Sequence, residues 1–388
     1  MLPDEERLAR MALTCVVEPG DARIAPLVEE FGAADVWAGL RRPGPVVEWA
    51  RRAATVDLDR VRGRAEELGL RFLVPGDADW PQQLSVLGTC EPVVQARGVP
   101  LGLWVRGDGS LAELSERSVS IVGSRASTPY GDRVAADWAA GLAASGLTVV
   151  SGAAYGIDAA AHRGALAEGG PTVAFVAGGL DVPYPRNHEP LLASIARAGL
   201  VVSELPPGEH PTRLRFLTRN RLIAALSGGT VIVEGAHRSG ARNTVTWARA
   251  CGRPVMAAPG AVTSAMSATP HRLVRDGEAV LVTSVEEIRE EIGSLGEFAP
   301  ARPDQGRLLD FLDPAVRAVY EALPGRGSRD LGDLAVRAGV SVPQAAAAMA
   351  ELAERGLAEP ASDGGWRIGT TQNRPERPRL ERLAEKHS

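Results

Sequence analysis

Glycine, small hydroxyl residues and arginine recur in one place along this chain, directly after short apolar runs. Ile121–Arg125 reads IVGSR, Val149–His162 reads VVSGAAYGIDAAAH, and Val176–His188 reads VAGGLDVPYPRNH. FLTRNRLIAALS (Phe216–Ser227), VIVEGAHRSGARNT (Val231–Thr244) and VMAAPG (Val255–Gly260) complete the set. Backbone N–H groups at such turns favour anions, and a guanidinium grips phosphate as a planar fork. Nothing in these turns reads as a nucleophile elbow, an H-E-x-x-H pair or zinc spacing. The chemistry they suggest is phosphate binding without a metal, a cofactor or an enzymatic step.

Gly123 and Ser124 end the first run with amides and a hydroxyl, and Arg125 adds the fork; an ordinary tight turn with a surface arginine is the plainer reading. No G-x-G-x-x-G is present and no acid ends the next run, where Ser151 and Gly152 stand, so a dinucleotide site is weakly supported. Asp158 and His162 share a helix face at i, i+4, which predicts a structural Asp–His hydrogen bond. Gly178 and Gly179 permit close backbone approach, and Arg186 is a second candidate phosphate contact, in what could equally be a proline-stiffened loop. Arg219 and Arg221 lie roughly 200° apart on a helix, so they cannot share a role. One should face the binding edge, and the other should pair with a carboxylate such as Glu204 or Asp158. Asn220 between them can bond phosphate or base, although a solvated charge run remains open. Ser239, Gly240 and Thr244 sit at a helix start and are anion-compatible.

These turns must be held by strands and helices. Candidate strands are Leu103–Arg106, Val119–Val122, Thr148–Val150, Thr172–Val176, Leu200–Ser203, Thr230–Val233, Pro254–Ala257 and Ala279–Val282. Alanine-rich helical stretches such as DRVAADWAAGLAAS separate most of them. Repeated strand–helix units with wholly apolar strands predict an α/β fold with a parallel sheet covered on both faces. Such a sheet gathers the turns along one edge. Residues 1–85 alternate at helical spacing and read as a small helical N-terminal domain; RFLVPGDADWPQQL follows as a linking strand and turn. Residues 86–298 form the sheet domain, 299–370 three helices and a hairpin in winged-helix order, and 371–388 a disordered charged tail.

The totals bound the remaining choices. With 388 residues, 45% of them hydrophobic, the chain can fill two or three domains. No apolar run is long enough to span a membrane, and the acidic start lacks a signal-peptide core, so the expected location is cytoplasmic with no membrane partner. Cys15, Cys90 and Cys251 suit reduced, buried thiols. A net charge of −5 argues against nucleic acid only if the basic residues are dispersed, yet Arg213, Arg215, Arg219 and Arg221 cluster with only Glu209 nearby. Lys386 is the sole lysine, which excludes a P-loop lysine and a core lysine base.

In order, VGSR, SGAAYGIDAAAH, GGLD with its YP, Ser203-Glu204, RNRLIAALS, the VEG, SG and T positions, and APG resemble the DprA/Smf family of bacterial DNA-processing proteins over about 160 residues. The flanking regions fit that family only by layout. The resemblance implies an extended Rossmann-like domain that binds single-stranded DNA without sequence preference, loads RecA recombinase in DNA uptake and recombination, and acts as a homodimer. It carries DNA contact to Arg125, Arg186 and the segment Arg219, Asn220, Arg221, with Gly152, Gly179, Ser239 and Gly240 shaping the pocket. Leu217 stands where the family usually has proline, and SATPHRLV lacks the family's glycine and asparagine.

The rival is a nucleotide-binding Rossmann-like protein, or a nucleoside-monophosphate phosphoribohydrolase similar to the LOG family. Those enzymes use a glutamate shortly after a PGG-x-GT segment. Here Val245, Thr246 and Trp247 follow Thr244, with no carboxylate.

Overall fold

In the computed structural model the described residues are 3–42, 48–94, 96–237, 240–293, 312–325, 327–361 and 363–369. They divide into two compact units, Met1–Ala299 and Pro300–Ser388. Every apolar run singled out above becomes a strand. These are β2 (Leu103–Arg106), β3 (Ser118–Val122), β4 (Thr148–Ser151), β5 (Thr172–Phe175), β6 (Leu200–Ser203), β7 (Thr230–Ile232), β8 (Val255–Ala257) and β9 (Val280–Leu281), preceded by β1 (Arg71–Leu73). Together they form one nine-stranded sheet in the order β1-β2-β6-β5-β4-β3-β7-β8-β9.

β3 to β9 run parallel, but β1 and β2 pair antiparallel at one edge, so the sheet is mixed. The reason is local: among the described residues no α-helix lies between β1 and β2, only a 3₁₀ segment (Gln82–Gly88), and a parallel neighbour needs a helical crossover. β1 also places residues 71–73, within the stretch read from sequence as a helical domain, in the main sheet.

Among the described residues five helices precede β1: α1 (Asp4–Thr14), α2 (Ile24–Phe31), α3 (Ala33–Leu40), α4 (Glu48–Ala53) and α5 (Leu58–Glu67). They close a small core around Leu13, Val16, Ile24 and Val28. Within the sheet come α6 (Leu111–Glu116), α7 (Pro129–Ala144), α8 (Ile157–Ala167), α9 (Glu189–Ala198), α10 (Arg213–Leu226), α11 (Ala241–Ala250), α12 (Ala268–Arg275) and α13 (Val285–Ile292). Strand side chains alternate between the two faces. Val119 and Ile121 join Ala135 and Leu142 of α7 and Ala161 of α8, whereas Val122, Val150 and Ile232 join Leu222 and Ile223 of α10 and Val245 of α11. β3 is buried along its whole length, so the apolar run SVSIV has water on neither side, as a central parallel strand requires.

The second unit holds α14 (Pro314–Glu321), α15 (Leu331–Ala338) and α16 (Val342–Glu354), then the antiparallel pair β10 (Ala358–Pro360) and β11 (Trp366–Ile368). Its own core comprises residues such as Val319, Leu334, Met349 and Leu352. Helix starts follow the sequence: Asp313 caps α14 ahead of Pro314, Asp330 caps α15, and a Ser341–Gln344 capping box opens α16. The expected tail, 371–388, lies outside the described residues.

Candidate nucleic-acid interface

The strand order turns around at β3, which has β4 on one side and β7 on the other. At such a switch point the loops leaving two neighbouring strands part in opposite directions and open a crevice beyond their carboxyl ends. A cleft of about 830 Å³ lies there. Gly123, Ser124 and Arg125 line it from the end of β3, and Ala236 and Gly240 from the loop after β7. α10 supplies Arg213, Phe216, Arg219 and Asn220, while Asp158 and Tyr184 complete the wall from α8 and the loop after β5.

α10 begins where Thr212 caps it, accepting a hydrogen bond from Arg215 N, and its second half is buried. This orientation separates its arginines. Arg221 points inward and is 1% exposed. Its guanidinium forms a two-pronged ion pair with Glu204 at the end of β6, one hydrogen bond (Nη2 to Oε1) being 2.6 Å. Arg221 therefore does not line the cleft, and the expectation that it could contact DNA is corrected. Arg215 is also matched, to Glu18 at 2.9 Å and Glu209 at 2.6 Å, so the arginine cluster is not one basic face. Arg213 remains, exposed on the cleft rim with no hydrogen bond or ion pair among the described residues.

Arg219 is the unusual group. It is 5% exposed, and no carboxylate among the described residues lies within ion-pair distance of it. Nη1 donates to Gly152 O at 2.8 Å and to Phe175 O, while the buried Nε has no partner. Burial lowers its pKa to about 10, with Asp158 opposing the shift, so the group stays cationic near neutral pH. Burial pushes the Asp158 carboxyl up, against the pull of Arg219. The wall thus holds a positive charge with unused donor capacity, a combination stabilised by an entering anion.

Arg125 lines the same cleft from the end of β3 and shares the Phe216 ring with Arg219. Exposed, it lays its guanidinium 4.5 Å from the Phe216 ring centroid, and the Tyr184 ring lies 5.3 Å from Phe216. The result is a cation–aromatic stack on the cleft wall. Two glycines are required by these contacts. A Cβ on Gly152 would stand 2.3 Å from Arg219 Nη1, and Gly156 has φ +73° with its would-be Cβ 2.3 Å from Ser124 O.

The other sequence candidates fall as follows. Gly152 is buried behind the wall and contributes its carbonyl to Arg219. Gly179 lines a separate cavity of about 270 Å³ beside Leu180 and Asp181. Arg186 is exposed on a 3₁₀ turn and is not among the cleft-lining residues. Ser239 lies outside the described residues. Asp158 accepts from Ala154 N at 3.4 Å, whereas His162 donates from Nδ1 to Thr172 Oγ1 at 2.7 Å, so the expected Asp158–His162 hydrogen bond is not formed. Thr172 turns the imidazole toward β5, because its own hydroxyl proton goes to Val149 O. Asn243 of α11, not among the sequence candidates, accepts a hydrogen bond from Asn220 of α10 at 3.1 Å, and both line the cleft. Its signal was the segment SGARNT, read for its serine, glycine and threonine alone.

Among the described residues no cluster of His, Cys, Asp and Glu suits a metal ion, and no helix is long and apolar enough to cross a membrane.

A mostly parallel α/β sheet with an anion-ready crevice at its switch point defines a Rossmann-like binding protein. Residues 71–293 match the family model for DNA recombination-mediator protein A, and the chain belongs to that family of DNA-processing proteins. The match begins at β1, the first strand of the sheet. A Mycobacterium tuberculosis (strain H37Rv) relative named for DprA is 46% identical over 363 residues, 92% of each chain. Protein Smf of Escherichia coli K12 is 35% identical over 288 residues, covering 72% of this chain and 73% of the relative. Among solved structures, DNA processing protein A from Streptococcus pneumoniae is similar with a TM-score of 0.62 at 29% identity, covering 76% of this chain and 100% of that one.

Proposed function

We propose that the switch-point cleft holds single-stranded DNA by its phosphates, without sequence preference and without breaking a bond, and that a bound strand is handed to a RecA-type recombinase during DNA uptake and recombination. The observation that carries this reading is Arg219: a buried cation in the cleft wall with an unpartnered Nε, in a cleft that the exposed guanidinium of Arg125 also lines. Arg213 at the rim extends the basic track. The Phe216–Tyr184 pair offers a face on which a base can stack, a sequence-tolerant contact. Family membership supports the choice of DNA over a mononucleotide. We further propose that the protein acts in the cytoplasm as a homodimer, and that residues 299–370 serve as a winged-helix module. The exposed start of α16 is uncharged, which suits protein contact better than the major groove.

The test is titration of a labelled oligothymidylate at several salt concentrations. With three or four phosphates neutralised, the log–log slope is expected at about −2 to −3. Arg125→Ala is expected to weaken binding and flatten that slope by about 0.7, and Arg219→Ala to weaken it further. Release of free base from a nucleoside monophosphate, with no oligonucleotide binding, would replace this reading with the hydrolase.

A further inference from the structure

The turn after β4 is fastened from two directions. Gly152 O accepts from Arg219 Nη1 at 2.8 Å, and the next carbonyl, Ala153 O, accepts from His188 Nδ1 at 2.9 Å. A carbonyl can only accept, so the imidazole carries its proton on Nδ1. Ala153 has φ +51°, a left-handed conformation that an alanine adopts at a penalty. It is wholly buried, and so is His188 at 4% exposure. Tyr155 covers the imidazole edge-on, with centroids 4.8 Å apart. Strained backbone of this kind persists where its surroundings over-determine it, and here the surroundings include one imidazole.

The two ends of that hydrogen bond belong to neighbouring loops, after β4 and after β5, on one side of the switch point. Directly after Ala153 come Ala154 and then Asp158, both lining it. His188 closes the loop that begins after β5 and carries Tyr184, which lines the same cleft. We infer that His188 is a positioning residue: it clasps the turn after β4 to the Tyr184 loop and so fixes Tyr184 against the turn that also holds Arg219, in the cleft where the strand lies. The inference rests on the strand-binding reading above. His188 itself is not among the cleft-lining residues.

Two measurements on the full chain test it. Asparagine places its amide nitrogen where histidine has Nδ1, whereas glutamine reproduces Nε2. In the free protein, amide hydrogen exchange of residues 153–157 and of 182–186 is expected to accelerate together in His188→Ala and His188→Gln, and to stay near wild type in His188→Asn. Oligothymidylate affinity is expected to fall about tenfold in the first two variants and to recover in His188→Asn. In a double-mutant cycle, His188→Ala and Tyr184→Ala are expected to be sub-additive, because the loosened loop already misplaces Tyr184. A loss of folding alone would add to the Tyr184 effect and would not distinguish Asn from Gln. If wild type binds and His188→Ala binds equally well, or if the exchange of the two segments is uncoupled, the clasp is refuted while strand binding stands. If wild type does not bind the oligonucleotide, the strand reading fails, and the exchange pattern alone decides the clasp.

Discussion

Arg221 and Arg219 are two residues apart on α10, one electrically matched and the other not. Arg221 and Glu204 are both buried, and removing one leaves the other charged in a medium that cannot solvate it. Arg221→Ala is expected to lower unfolding free energy by about 3–5 kcal/mol in urea titration. The pair Arg221→Met with Glu204→Leu is expected to recover most of that loss. A second residue-scale expectation concerns His162. Burial holds its pKa near 3, below the ordinary 6.5. Between those values the unfolded chain takes up a proton that the folded chain refuses, so stability is full above pH 6.5 and falls as pH falls. The slope from this one group is about 1.4 kcal/mol per pH unit. His162→Asn, which keeps a donor toward Thr172, is expected to flatten the urea-midpoint profile between pH 6 and 4.

At the scale of elements, the cleft depends on where α7 begins. Thr128 caps it and is itself held by Glu234 beyond β7, whose carboxylate accepts from Thr128 N at 2.8 Å and Oγ1 at 2.6 Å. Glu234→Ala is expected to destabilise by about 1–3 kcal/mol, leaving a part-buried N–H without its acceptor, and to speed hydrogen exchange at the start of α7. Much of this layer was legible in the sequence. Apolar runs such as VSIV (Val119–Val122) and TVV (Thr148–Val150) read as buried strands, and the glycine turns after them had to gather on one edge. The antiparallel edge was not legible, because β1 is three residues long and its partner is chosen by tertiary contact with β2. Helical angles separated Arg219 from Arg221 but could not say which faced inward. That was decided by Glu204, just after β6, which the sequence offered only as one of two possible partners. The matching of Arg215 by Glu18 was hidden, since the two are 197 positions apart in sequence.

The whole molecule divides at about residue 300, and the apolar core of each unit is formed within it. A chain ending at Gly293 is therefore expected to unfold cooperatively and to bind oligothymidylate within about threefold of the full protein, a difference under 1 kcal/mol. Any larger loss would place strand contacts in the second unit. The unpartnered nitrogen of Arg219 reaches beyond DNA. A cation lodged in a poorly solvating wall attracts small oxyanions from the medium, so sulfate and inorganic phosphate are rivals of the strand. At matched ionic strength they are expected to raise the melting temperature of the free protein above its value in chloride and to weaken oligonucleotide capture. Arg219→Ala is expected to make the salts indistinguishable, and the choice of buffer counter-ion would then decide how tight the same protein looks in two laboratories.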